Sequence, residues 1–166
     1  MRVSIKRAQG FTLLEVLVVL AIGGLLVGLA SLTLTRNPRS DLLEQAQRLA
    51  LVFETAGDEA QLRNAPIMWE PVNGGYRFDV RSGGRWAPIT DSLLGTQRWQ
   101  VPLSGVAIRY PGERGTDNNA SRLFFGTESI SRPATVTLYS DVGAMTIRTD
   151  GSGRFDVVDG AAGAQP

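Results

Sequence analysis

The chain has 166 residues with 17 basic and 16 acidic side chains, enough for one domain and an appendage and too few for two sizeable domains. It contains no Cys and no His, and its single Lys, Lys6, stands near the amino terminus. Disulfides, Cys- or His-bound metals and Ser–His or Cys–His catalytic pairs are thereby excluded, and beyond residue 6 so are Ser–Lys pairs and Schiff bases. Only carboxylate, Tyr or Arg chemistry remains, and the composition does not describe an enzyme.

In chain order, Met1–Gly10 carries Arg2, Lys6 and Arg7 and no acid. Phe11-Thr-Leu-Leu-Glu15 then opens an apolar run that reaches Leu34 with Glu15 as its one charge. These 24 residues form a helix of about 36 Å at roughly 1.5 Å per residue, long enough to span a bilayer with some tilt. A carboxylate inside such a helix costs roughly 2.5–3.5 kcal/mol on insertion scales and calls for a partner, unless it snorkels to the headgroups. Gly24 and Gly28 have the small-xxx-small spacing that permits close helix packing. Pro38 in Arg36-Asn37-Pro38-Arg39 predicts a break. Asp41 with Glu44 resembles a capping box, so a second, amphipathic helix is expected from about Ser40 to Arg63. Its apolar stripe takes Leu42, Leu43, Ala46, Leu49, Ala50 and Phe53, then Ala56 and Ala60. Glu44–Arg48 and Glu59–Arg63 are i,i+4 pairs on its solvated side.

From Ala65 the period changes to two. Ile67 and Trp69 alternate with Met68 and Glu70; after the turn Asn73-Gly74-Gly75, Tyr76, Phe78 and Val80 alternate with Arg77, Asp79 and Arg81 until Gly83-Gly84. Further strands are expected at 98–101, 105–110, 122–125, 134–140, 144–149 and 154–158, the last two flanking Asp150-Gly151-Ser152-Gly153. A long amino-terminal helix followed by seven or eight short strands predicts an α+β fold, the helix packed on antiparallel β-sheet. The expected organisation is a leader at 1–10, a membrane helix at 11–36, an amphipathic helix at 37–63, a β-rich domain at 64–159 and a tail at 160–166. Asp117-Asn118-Asn119 offers oxygen ligands but lacks the Gly and distal Glu of an EF-hand loop, so it reads as a polar loop without metal. Arg77, Arg81 and Arg85 are interrupted by Asp79 and unsupported by Lys, which suits solvated strand faces or subunit-contact arginines better than a nucleic-acid footprint. Trp69, Trp86 and Trp99 read as core or interface anchors.

Arg7-Ala-Gln-Gly10 followed by Phe11-Thr-Leu-Leu-Glu15 resembles the prepilin signal shared by type IV pilins and type II secretion pseudopilins. The resemblance implies cutting after Gly10 by an inner-membrane prepilin peptidase and N-methylation of Phe11. The ten-residue leader takes three of the 17 basic residues, leaving 14 against 16 acids and a net charge of −2. Its basic residues imply a cytoplasmic amino terminus, with a single-pass inner-membrane helix and a periplasmic carboxyl-terminal domain. In an assembly, Glu15 could meet the Phe11 amine of a neighbouring subunit, an attraction far stronger in an apolar interior than in water. Leu49-Ala50-Leu51, Gly75-Tyr76-Arg77-Phe78, Trp86-Ala87-Pro88-Ile89, Leu123-Phe124-Phe125 and Thr135-Val136-Thr137-Leu138 further resemble the H-type minor pseudopilins. The resemblance implies a structural role in a periplasmic pseudopilus that helps move folded proteins across the outer membrane. It implies as partners the minor pseudopilins I, J and K, the major pseudopilin G, prepilin peptidase and the inner-membrane assembly platform, with no cofactor and no nucleic acid. Leu32 departs from the helix-kinking Pro of many type IV pilins. The alternative is a type IV pilus minor pilin that takes up DNA or adheres.

Overall fold

The structure, a computed structural model, describes residues 12–33, 37–110, 120–128 and 132–160. It divides into two compact units at the Arg36/Asn37 boundary. The first contributes one element, helix α1 (Leu13–Thr33).

The second unit opens with helix α2 (Pro38–Leu62). The helix starts earlier than the expected Ser40, and Asn37 replaces Asp41 as its cap. The Asn37 side chain accepts a hydrogen bond from the Arg39 amide at 3.1 Å, and Pro38 takes the first helical position. There its missing N–H costs nothing and its fixed φ already suits a helix. At the other end Asn64 adopts φ 48°. The Ala65 amide bonds the Ala60 carbonyl and the Asn64 amide bonds the Gln61 carbonyl, a Schellman closure with Asn in the usual glycine place. Leu42, Ala46, Leu49, Phe53, Ala56 and Ala60 are buried as expected. Leu43, expected with them, is exposed. It lies about 100° around the helix from Leu42, and Gln45 and Val52 occupy the opposite flank of the buried stripe instead. The Glu59–Arg63 ion pair forms.

Nine strands follow among the described residues, all paired antiparallel in two sheets. They are β1 (Ile67–Val72), β2 (Gly75–Ser82), β3 (Arg85–Pro88), β4 (Gln97–Arg98), β5 (Gly105–Arg109), β6 (Leu123–Phe125), β7 (Ala134–Ser140), β8 (Gly143–Thr149) and β9 (Asp156–Gly160). The first sheet runs β3-β2-β1-β6, with β4 pairing the start of β2 on the edge that β3 uses further along. The second runs β5-β7-β8-β9. Gly74 at φ 75° turns β1 into β2, and Gly83 and Gly84 at φ 57° and 80° turn β2 into β3, as their positions in the sequence demand. β4 is shorter than expected. β9 begins two residues late: the Phe155 amide bonds the Glu54 side chain of α2 at 3.0 Å instead of a ladder partner. Gly160, read from sequence as tail, pairs with Ala144 inside β9.

Helix α2 contacts β1 and β6 of the first sheet and β8 and β9 of the second. Phe53 is the hub: its ring lies 5.0 Å from Trp69, 5.7 Å from Phe125, 6.5 Å from Phe78 and 5.3 Å from Phe155. The core therefore sits where one helix face closes against both sheets.

Candidate functional site

Gly10 and Phe11, the expected cleavage and methylation positions, lie outside the described residues, as do Asp117, Asn118 and Asn119. Glu15 stands in the first turn of α1, exposed. Its amide bonds both the Thr12 carbonyl at 3.0 Å and the Thr12 hydroxyl at 3.3 Å. Thr12 thus caps α1, and Glu15, three residues on, places its charge against the positive end of the helix. Sequence reasoning missed this local role, although Thr-x-x-Glu before an apolar run is its signature.

Every side chain described from Thr12 to Leu26 is exposed, Leu13 to 84%. A Cβ added at Gly24 or Gly28 would meet nothing within 4 Å among the described residues. Among the described residues no helix is long and apolar enough to cross a membrane. A helix apolar on every face still has to be covered by lipid or by other apolar helices.

In the second unit the charged residues are organised on the first sheet. Glu70 receives Arg77 at 2.5 Å and Arg122 at 2.8 Å, and Arg77 also reaches Asp79 at 3.3 Å. Burial alone would push the Glu70 carboxyl up, but the Arg122 hydrogen bond and the charges of Arg77 and Arg122 outweigh it and hold it below the usual range. Of the three arginines singled out in the sequence, only Arg77 joins this network. Burial pushes the Tyr76 phenol up, with the Arg48 charge pulling weakly the other way. Trp69 is a core residue and Trp99 is half-buried, its ring tilted against that of Tyr76 with centroids 4.9 Å apart. Trp86 is exposed and paired with Phe124.

Gln45 is another residue the sequence did not flag. Only 6% exposed, it accepts the Gln100 and Val101 amides on one oxygen, at 2.7 and 2.8 Å, and so clamps the segment after β4 to α2. That segment walls an open groove of about 680 Å³ lined by Pro71, Val72, Trp99, Pro102, Leu103 and Val106. Its lining also holds Asn73 and the Ser104 hydroxyl, and no ionisable side chain among the described residues. Among the described residues no three His, Cys, Asp or Glu side chains are grouped to hold a metal ion.

A long helix packed on antiparallel sheets, preceded by a second helix that is apolar but for Glu15 near its start, defines a pilin-like protein. Solved structures share the fold. The solution structure of E. coli GspH matches with a TM-score of 0.54 and 18% identity, over 76% of this chain and 93% of that one. The minor pseudopilin EpsH of the Vibrio cholerae type 2 secretion system gives 0.51 at 12% identity, over 72% and 97%. The type IV minor pilin FimU of Pseudomonas aeruginosa gives 0.50 at 14% identity, over 72% and 90%. At the level of sequence, residues 5–31 match the prokaryotic N-terminal methylation motif and residues 45–153 match the type II transport protein GspH family. Type II secretion system protein H of Pseudomonas aeruginosa is 30% identical over 117 residues, 66% of this chain and 67% of that protein. The chain belongs to the GspH family of type II secretion pseudopilins.

Proposed function

We propose that this protein is a structural minor subunit of a type II secretion pseudopilus that assists export of folded proteins across the outer membrane, and that it performs no catalysis itself. The observation that carries the reading is the joining, in one chain, of an N-terminal methylation motif at 5–31 to a GspH-family domain at 45–153. In this reading prepilin peptidase removes Met1–Gly10 and Phe11 becomes the methylated amino terminus. The apolar run from Phe11 holds the chain in the inner membrane by a single pass, with the β-rich unit in the periplasm. The minor pseudopilins I, J and K, the major pseudopilin G and the assembly platform are its partners.

Glu15 serves assembly in this scheme. Its carboxylate meets the Phe11 amine of a neighbouring subunit among apolar helices, which fixes axial register, while Gly24 and Gly28 allow those helices to approach. The test is Glu15→Leu in the native host. Processed protein should reach the membrane at normal levels, since the change makes the segment more hydrophobic. Crosslinking to the other pseudopilins and secretion should both fall, and Glu15→Asp should do part of that harm. If Glu15→Leu crosslinks and secretes like the wild type, the register role is wrong. The similarity to FimU keeps a second reading, a type IV pilus minor pilin in DNA uptake or adhesion. Deleting the gene and assaying secretion, twitching and DNA uptake in parallel separates the two.

A further inference from the structure

Helix α2 and the segment that Gln45 clamps to it border a small pocket of about 30 Å³. Gln45, Arg48 and Leu49 form the helix wall, residues 97–100 form another, and Tyr76 of β2 completes the lining. The space takes one small polar group and not an extended chain.

Two arginines, Arg48 and Arg98, line this pocket, and no acid does. Both are exposed, and neither side chain makes an ion pair or a hydrogen bond among the described residues. Glu44 stands one turn before Arg48 in the favourable orientation, yet the pair expected from the sequence does not form. Arg48 lies instead near enough to Tyr76 for its charge to act on the phenol. Register sets Arg98 opposite Gly75, the residue before Tyr76, so its side chain leaves β4 on the far face and adds its charge from the rim. Leu51, one turn beyond Arg48, is 65% exposed and offers an apolar rest beside the pocket.

We propose that this pocket receives the carboxylate of an Asp or Glu side chain from a neighbouring protein. The Arg48 guanidinium holds it, Arg98 adds attraction from the rim, and Leu51 covers an apolar group beside the acid. A guanidinium fork binds a carboxylate bidentately, and the Tyr76 hydroxyl and the Gln100 side-chain amide are further donors in the lining. The room suits one carboxylate. A nucleic acid or an anionic membrane calls for several cations in a row, and the chain after residue 10 is net −2. The inference does not rest on the secretion role, because it concerns a pocket of the second unit and not the helix α1.

The test places a photoreactive benzoylphenylalanine at position 51 of the full chain, in native-host membranes, and sequences the crosslinked peptides. The expected adduct is a protein segment with an Asp or Glu beside the attachment point. Its yield should fall at least about fivefold in Arg48→Glu and by a smaller factor in Arg98→Glu. Replacing the mapped acid by Lys should restore the yield in Arg48→Glu, an outcome that separates lost docking from lost folding. Adducts confined to phospholipid or nucleic acid, adducts on segments without an acid, absence of adducts, a yield indifferent to Arg48→Glu, or a loss that the Lys replacement leaves unrescued would each overturn the proposal.

Discussion

Replacing Gln45 by Met keeps the volume of the side chain and removes its hydrogen-bonding atoms. In the native protein a single oxygen of Gln45 satisfies the Gln100 and Val101 amides, and its Nε2 lies 3.4 Å from the Val101 carbonyl. Gln45 is only 6% exposed, but Gln100 is exposed and Val101 half-buried, so water reaches the amides left behind in part. A fully buried donor without an acceptor costs about 1–3 kcal/mol and partial access to water lowers that, so the variant should lose about 1–3 kcal/mol in all. In a unit of about 130 residues 1 kcal/mol corresponds to roughly 3–5 °C, which gives a fall of about 3–15 °C in the melting temperature. Thermal and urea unfolding of residues 37–166 would measure the loss, and amide exchange by mass spectrometry would show whether residues 97–104 open selectively. Gln47→Met, on the exposed side of the same helix, is the control and should stay within about 0.5 kcal/mol. A Gln45→Met protein as stable as the wild type would refute the clamp, and so would one that loses stability while Gln100 and Val101 exchange at their native rates.

Gly75→Ala and Gly57→Ala should have opposite signs: a Cβ at 75 would stand 2.0 Å from the Gln97 carbonyl oxygen and cost about 1–3 kcal/mol, whereas at 57 it meets nothing within 4 Å and gains about 0.5–1 kcal/mol of helix propensity. Paired melting curves decide this. The depressed pKa of Glu70 makes its contribution to stability full above the ordinary carboxylate range near 4.5 and lost as pH falls through the lower folded-state value. The stability gap between wild type and Glu70→Gln should therefore be constant near neutrality and close on acidification, as urea titrations at stepped pH would record. Gly10→Leu should block leader removal in a host with an active peptidase, giving the unprocessed chain by intact mass in place of one that begins with N-methyl-Phe11.

The helices and hairpins were legible because local chemistry dictates them. The 3.6-residue stripe along Leu42–Ala60 and the Gly74 and Gly83-Gly84 turns left little choice. The cap of α2 was misplaced, since Asp41–Glu44 and Asn37-Pro38 are both lawful starts and the backbone uses the earlier. The division of nine strands between two sheets was beyond reach, because the β1–β6 pairing joins residues more than 50 positions apart and leaves no local trace. Arg77, Arg81 and Arg85 could be set aside as a nucleic-acid stripe from composition alone. That Arg77 is engaged by two carboxylates while its neighbours are not depends on tertiary pairing. The meeting of Trp86 with Phe124 is likewise a product of sheet order, since β3 and β6 stand at opposite ends of the first sheet.

The way the strands share their edges bears on solubility. Among the described residues β3 and β4 between them occupy one side of β2, so the ladder groups left open on that flank of the first sheet belong to the four residues of β3, which end in Pro88, and the two of β4, and on the other flank to the three of β6. In the second sheet β5 is bridged by Ala120, and β9 carries Asp156 and Asp159. Short, proline-ended, covered or charged borders give an incoming strand no long row of amides and carbonyls to copy. A protein held at high local density beside its neighbours is thereby protected from amyloid-like stacking, and its associations are left to side-chain surfaces and helices, whose geometry can stop growing.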